Sequence, residues 1–147
     1  MRQFILLVGN NGTGKTYFSN NLPPDYIIIR PDEIPGGIEN KQREMILGIE
    51  KGLKENRTVV VDGLNLQKKW RNNFLYFVRD YQDCPRIIYD FGTGDQHTLD
   101  RLLQERRDCS PEEWTETFYE HQKSYEKPTE DEGYEIREVR SDFGRDN

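Results

Sequence analysis

Apolar positions along the chain fall into short continuous runs separated by longer, mixed stretches. Phe4-Ile5-Leu6-Leu7-Val8, Tyr26-Ile27-Ile28-Ile29, Thr58-Val59-Val60-Val61 and Arg86-Ile87-Ile88-Tyr89 have the length and bounding residues of buried strands, and Tyr134, Ile136 and Val139 suggest a fifth. Between the runs the period changes. Met45, Ile46, Ile49 and Leu53 make a stripe at helical spacing and predict a helix over 38–56, in which Gly48 and Gly52 cost stability and imply a close approach by another element. Trp70, Phe74, Leu75, Val78 and Tyr81 predict a helix over 67–81, and Leu99, Leu102 and Leu103 one over 95–105. A first helix over 14–21 is stopped by Leu22-Pro23-Pro24. Asp90-Phe91-Gly92-Thr93-Gly94 reads as a turn, and Ser110-Pro111-Glu112-Glu113 is a capping signature for a helix that runs to Tyr125 and stops before Pro128. Five strands alternating with helices require a mostly parallel sheet covered on both faces.

Composition narrows this only a little. With 147 residues the expectation is one domain over 1–147, with a polar surface and a frayed, polar tail. The net charge of −6 is unevenly placed, since residues 98–147 carry 8 basic against 15 acidic side chains. Such acidity argues against sequence-independent wrapping of nucleic acid, which needs many phosphate contacts, but not against gripping one strand end. Cys84 and Cys109 lack the spacing of a zinc site or a disulfide framework. The first apolar run is too short for a signal peptide or a membrane span, so the expectation is a cytoplasmic, soluble protein.

Chemistry concentrates after the strands. Gly9-Asn10-Asn11-Gly12-Thr13-Gly14-Lys15-Thr16 satisfies the P-loop pattern and follows a strand directly. Its glycines let successive N–H groups turn inward around a polyphosphate at the start of a helix, Lys15 reaches the β- and γ-phosphates, and the Thr16 hydroxyl suits Mg²⁺. Asp62 ends the third run, the position of a carboxylate near the P-loop's metal, and Asp32 lies just past the second, where open α/β sheets bind ligands. The residue after Asp62 is Gly63 rather than a second acid, which points away from a mechanical ATPase. Arg101, Arg106 and Arg107 gather at and beyond the helix over 95–105, suited to a lid that brings positive charge to a transferring phosphoryl group. Lys68, Lys69 and Arg71 lie on the polar side of the helix over 67–81, either solvated or in contact with nucleic-acid phosphate. His97 and His121 stand apart from any acid or nucleophile and are given no catalytic role. A phosphate cradle, a metal, a carboxylate to accept a hydroxyl proton and lid cations are the parts of a kinase.

Those elements, with Ile29-Arg30-Pro31-Asp32, Val60-Val61-Asp62-Gly63-Leu64-Asn65-Leu66 and the ending Tyr125-Glu126-Lys127-Pro128-Thr129-Glu130-Asp131-Glu132-Gly133-Tyr134, resemble the 5′-hydroxyl polynucleotide kinase domain over nearly the whole chain. The resemblance implies an adenylate-kinase-like P-loop NTPase fold, five-stranded with a small helical lid. It implies that Lys15 and Thr16 take ATP or another NTP and Mg²⁺, that Asp32 is the general base on the 5′-OH end of DNA or RNA, and that Arg106 is the lid arginine, with Arg107 its alternative. Pro35 stands where some members of that family carry a substrate-holding arginine, and Asp62-Gly63-Leu64-Asn65 lacks the threonine of the family's Asp-x-Thr-Asn. A kinase of a small alcohol, such as a sugar or nucleoside, and a nucleotide-dependent binding module without turnover are the alternative readings.

Overall fold

The structure, a computed structural model, describes residues 2–106 and 108–139. Chain order is β1 (Phe4–Gly9), α1 (Lys15–Asn20), β2 (Ile27–Ile29), α2 (Ile38–Lys54), β3 (Val59–Asp62), α3 (Lys68–Phe77), β4 (Arg86–Gly92), α4 (Gln96–Glu105), α5 (Pro111–Ser124) and β5 (Glu135–Glu138). The strands lie in the order β2-β3-β1-β4-β5, and every pairing is parallel. β1 is fully buried at the centre, which is why it reads as an unbroken apolar run rather than an alternation.

Alternate residues of the central strands feed two cores. Phe4, Leu6, Val8, Val59 and Val61 face one way and pack with Ile49 and Leu53 of α2 and Phe74 of α3. Ile5, Leu7, Val60 and Ile87 face the other way, toward Phe18 of α1 and Leu22. Helices therefore cover both faces, as the alternation requires. The close approach implied by Gly48 and Gly52 is that of α2 on the edge of the sheet: a Cβ on Gly52 would stand 2.5 Å from Cγ2 of Val59, and one on Gly48 would stand 3.1 Å from Cδ1 of Ile29. A third cluster, Leu99, Leu102 and Phe118 with Leu103 and Trp114 against them, ties α4 to α5 as a helical pair beside the P-loop.

Three boundaries differ from the expectation. β4 continues through Asp90, Phe91 and Gly92, which read as a turn. Asp90 is buried there because its carboxylate accepts the Tyr125 hydroxyl at 2.8 Å and the Gly92 N–H at 2.9 Å. α3 ends at Phe77, four residues early, and Val78 and Tyr81 reach the core from the turn that follows. The last strand begins only at Glu135, while Tyr134 buries its ring ahead of it and donates its hydroxyl to the Arg71 carbonyl at 2.6 Å.

Arg71 is the larger correction. Rather than facing solvent or nucleic acid beside Lys68 and Lys69, it is 0% exposed. Its Nε and Nη2 donate to the two carboxylate oxygens of Glu132 at 2.8 and 3.1 Å. Nη1 donates to the carbonyls of Asn65 and Leu66 at 3.0 and 2.9 Å, and Nη2 also to that of Glu126 at 2.9 Å. The Tyr125–Tyr134 segment is thus a clasp: Glu126 and Glu132 close on one buried guanidinium that also holds the loop after β3, and Tyr134 bonds the backbone carbonyl of the same residue.

Candidate active site

The P-loop leaves β1 at Gly9 and enters α1 at Lys15, and its shape is set by side chains that face inward. Asn10 is fully buried. Its Nδ2 donates to the carbonyls of Thr93 and Phe118, each at 3.0 Å, while Oδ1 accepts the Asn11 N–H at 2.8 Å and lies 3.2 Å from Nδ1 of His121. Thr13 closes the turn from within, its hydroxyl donating to the Asn10 carbonyl at 2.7 Å. Gly12 sits at φ +79°, in the left-handed region, and a Cβ there would meet Cγ2 of Thr98 at 3.3 Å, so both its conformation and the nearness of α4 demand glycine. The loop is pinned from below as well, because the Gly9 N–H donates to the Leu64 carbonyl at 3.0 Å.

Lys15 folds over this loop. Its ammonium donates to the Gly9 and Asn10 carbonyls at 2.7 and 2.9 Å and is nearly buried. Burial lowers its pKa to about 8, although the nearby carboxylates of Asp62 and Asp32 pull it upward. Both acids singled out after β3 and β2 therefore lie within electrostatic reach of the P-loop lysine. A polyphosphate in the loop would offer this ammonium anionic oxygens in place of the carbonyls it now holds.

Asp62 is held by two groups that the sequence did not single out as functional. Its Oδ2 accepts the Ser19 hydroxyl at 2.8 Å and Arg30 Nε at 3.2 Å. Nη2 of Arg30 reaches on to Ser19 Oγ at 2.9 Å and Asn20 Oδ1 at 2.8 Å. The available signal was spacing: Ser19 lies four residues after Lys15 on one helix face, and Arg30 directly follows β2. Thr16 is exposed one residue beyond Lys15. A threonine hydroxyl and a carboxylate are oxygen donors of the kind Mg²⁺ takes alongside phosphate oxygens and water, so the two residues fit that ion chemically.

Beyond Thr16 opens a cleft of about 510 Å³ bounded by Asn11, Gly14, Tyr17, Arg101, Leu102 and Arg106. Arg101 donates from Nη2 to the Gly12 carbonyl, which fixes α4 on the P-loop. Arg106, at the end of α4, lines the cleft with its guanidinium carbon 5.6 Å from the centre of the Trp114 ring. Arg107 lies outside the described residues. Asp32 stands exposed on a single 3-10 turn, Pro31–Glu33, beyond β2. Lys41 of α2 steadies that turn by donating to the carbonyls of Pro31 and Ile34 at 2.8 and 2.5 Å. His121, given no catalytic role, faces the P-loop through Asn10, and burial followed by the charge of Lys15 lowers its pKa below the usual histidine value.

A phosphate loop after the first strand, with an acid at the end of an adjacent parallel strand, is the architecture of P-loop proteins, and the profile of the AAA domain matches residues 4–128. The chain belongs to the AAA domain family. Among curated proteins no match is found. Solved structures similar to this AAA domain include a fungal RNA kinase, with a TM-score of 0.68 and 17% identity over 95% of this chain and 38% of that one. Kti12 of Chaetomium thermophilum, crystallised with ADP-AlF3, gives a TM-score of 0.54 at 15% identity and covers 93% of this chain and 88% of its own. A gluconokinase of Sinorhizobium meliloti gives 0.59 at 14% identity over 95% of this chain and 85% of that one. At these identities the likeness is one of fold, the P-loop NTPase fold that this AAA domain shares with those proteins. Among the described residues no helix is long and apolar enough to cross a membrane.

Proposed function

We propose that this AAA domain is a polynucleotide 5′-hydroxyl kinase that moves the γ-phosphate of ATP, or another NTP, to the 5′-OH end of DNA or RNA with Mg²⁺. The observation that supports the kinase reading is the Asp62 carboxylate, at the end of the strand beside β1, held by Ser19 of the helix that Lys15 opens. Lys15 and the loop N–H groups would hold the triphosphate, and Thr16 and Asp62 would hold Mg²⁺, which supplies charge neutralisation at the phosphate oxygens. Arg30 and Ser19 fix the Asp62 carboxylate in orientation. Asp32, exposed on its own turn, would accept the proton of the attacking hydroxyl. Arg106, with Arg101 and Arg107 near it in sequence, would set positive charge against the transferred group.

The choice of a nucleic acid over a small alcohol rests on the Tyr125-to-Tyr134 ending. The buried Arg71 clasp gives that ending a structural role whatever the acceptor, so the reading leans on the resemblance of the ending and on the similar fold of a fungal RNA kinase. The second reading, a kinase of a small alcohol, is favoured by Pro35 in place of a substrate-holding arginine and by the similar fold of a gluconokinase. Transfer of labelled γ-phosphate to 5′-OH oligonucleotides, offered as DNA and RNA beside a panel of sugars and nucleosides, decides between them. Label on the oligonucleotides supports the proposal; label on a small alcohol alone refutes it.

A further inference from the structure

The loop after β3 builds a second hollow whose purpose the phosphate site does not explain. Asn65 is a non-glycine residue in the left-handed region, at φ +48°, held there by its own amide, which donates to the Leu7 carbonyl of β1 at 2.8 Å. Every neighbouring carbonyl is used: Leu64 O accepts from Gly9, Leu66 O from the Glu126 N–H at 2.8 Å and from Arg71, and Asn65 O from Arg71. The loop is therefore rigid, and it begins directly after Asp62. Gly63 borders the turn that carries Asp32, since a Cβ on Gly63 would lie 3.7 Å from Cγ of Pro31. This loop, Trp70 and Ser124 line an open hollow of about 260 Å³. Trp70 forms its wall with 46% of its surface exposed, and the Lys69 ammonium stands 5.0 Å from the ring centre. An exposed indole beside a cation, over a rigid floor, suits a flat ring attached to a phosphodiester.

We infer that this hollow is the acceptor seat, in which the base at the 5′ end of a nucleic acid stacks on Trp70. The inference rests on the polynucleotide reading above and adds to it how the acceptor is held: through a terminal base whose outer face is free to stack. The neighbouring Lys68 is tied at its backbone to the acidic segment, its N–H donating to Glu126 Oε1 at 3.2 Å. Selection accordingly falls on the base and not on a long phosphate track.

The experiment compares wild type, Trp70→Ala and Trp70→Phe on a short 5′-OH oligonucleotide and on the same oligonucleotide without its terminal base, reading KM for oligonucleotide and for ATP separately. Loss of a stacked base raises KM by about fivefold or more, so Trp70→Ala raises KM for the intact oligonucleotide by that factor and leaves KM for ATP unchanged. Trp70→Phe recovers most of the loss, and the abasic oligonucleotide is bound equally by all three proteins. Equal KM values for the intact oligonucleotide in wild type and Trp70→Ala overturn the inference, as does a defect equally large on the abasic end. Wild-type protein that labels no oligonucleotide overturns the underlying reading instead, and that failure is visible before any substitution is made.

Discussion

Replacing Arg71 by methionine keeps much of the side-chain volume and removes a guanidinium that is wholly out of water. It leaves the Glu132 carboxylate facing a partner that no longer exists and withdraws the donor from the carbonyls of Asn65, Leu66 and Glu126. Breaking one side of a buried ion pair costs about 3–5 kcal/mol. Glu132 keeps 11% of its side chain in water, which favours the lower end, about 3 kcal/mol. With a urea slope of about 2 kcal/mol per molar, the unfolding midpoint falls by about 1.5 M. Adding Glu132→Leu to Arg71→Met removes the orphaned charge and recovers about half or more of the loss, because well-packed apolar replacements of buried pairs are often neutral. Acid titration gives an independent check. Burial raises the Glu132 carboxyl, but hydrogen bonds from Arg71 and from the Thr129 N–H, with the guanidinium charge, outweigh it and hold the group below the usual carboxylate range. A carboxyl depressed in the folded state contributes stability that is present above its unfolded value, about 4.3, and is lost as pH falls through the folded one. Wild type therefore loses stability in that acid window more steeply than Arg71→Met does. A midpoint shift under about 0.3 M at neutral pH, or a double variant no better than the single, refutes the view that Arg71 clasps the chain's ending.

Other substitutions test the P-loop and its surroundings. With Lys15 in the proposed role at the β- and γ-phosphates, Lys15→Ala keeps the fold by circular dichroism and lowers phosphoryl transfer by about a hundredfold or more. Gly12→Ala must hold a Cβ at φ +79° against Thr98, so it weakens binding of a fluorescent ATP analogue in an equilibrium titration while the far-ultraviolet spectrum is kept. Asn10→Ala leaves the carbonyls of Thr93 and Phe118 without a buried donor and lowers stability by about 1–3 kcal/mol in denaturant unfolding.

What the sequence made legible was what depends on short-range pattern. The central strands, the P-loop and the acids after β2 and β3 follow from runs, spacing and position on the carboxyl edge. The features it hid depend on partners far along the chain. Asp90 looks like a turn residue until Tyr125, 35 positions later, is brought against it and keeps it in the strand. Arg71 looks like a surface cation because its partner Glu132 lies 61 positions away. The same separation explains the Asn10 to His121 contact, which links residues 111 apart. Ser19 and Arg30 were the nearer omission, lying on the elements that flank Asp62, and only their convergence on one carboxylate oxygen marks them as its supports.

In the proposed reaction Asp32 takes the proton of a 5′-hydroxyl while Lys15 holds the phosphates. The yield of 5′-phosphorylated oligonucleotide from ATP and Mg²⁺, measured side by side for wild type and Asp32→Ala, tests it most directly. The account predicts product with wild type and a loss of about a hundredfold or more with the variant, at an unchanged melting temperature. Equal yields from the two proteins, or none from wild type, contradict it.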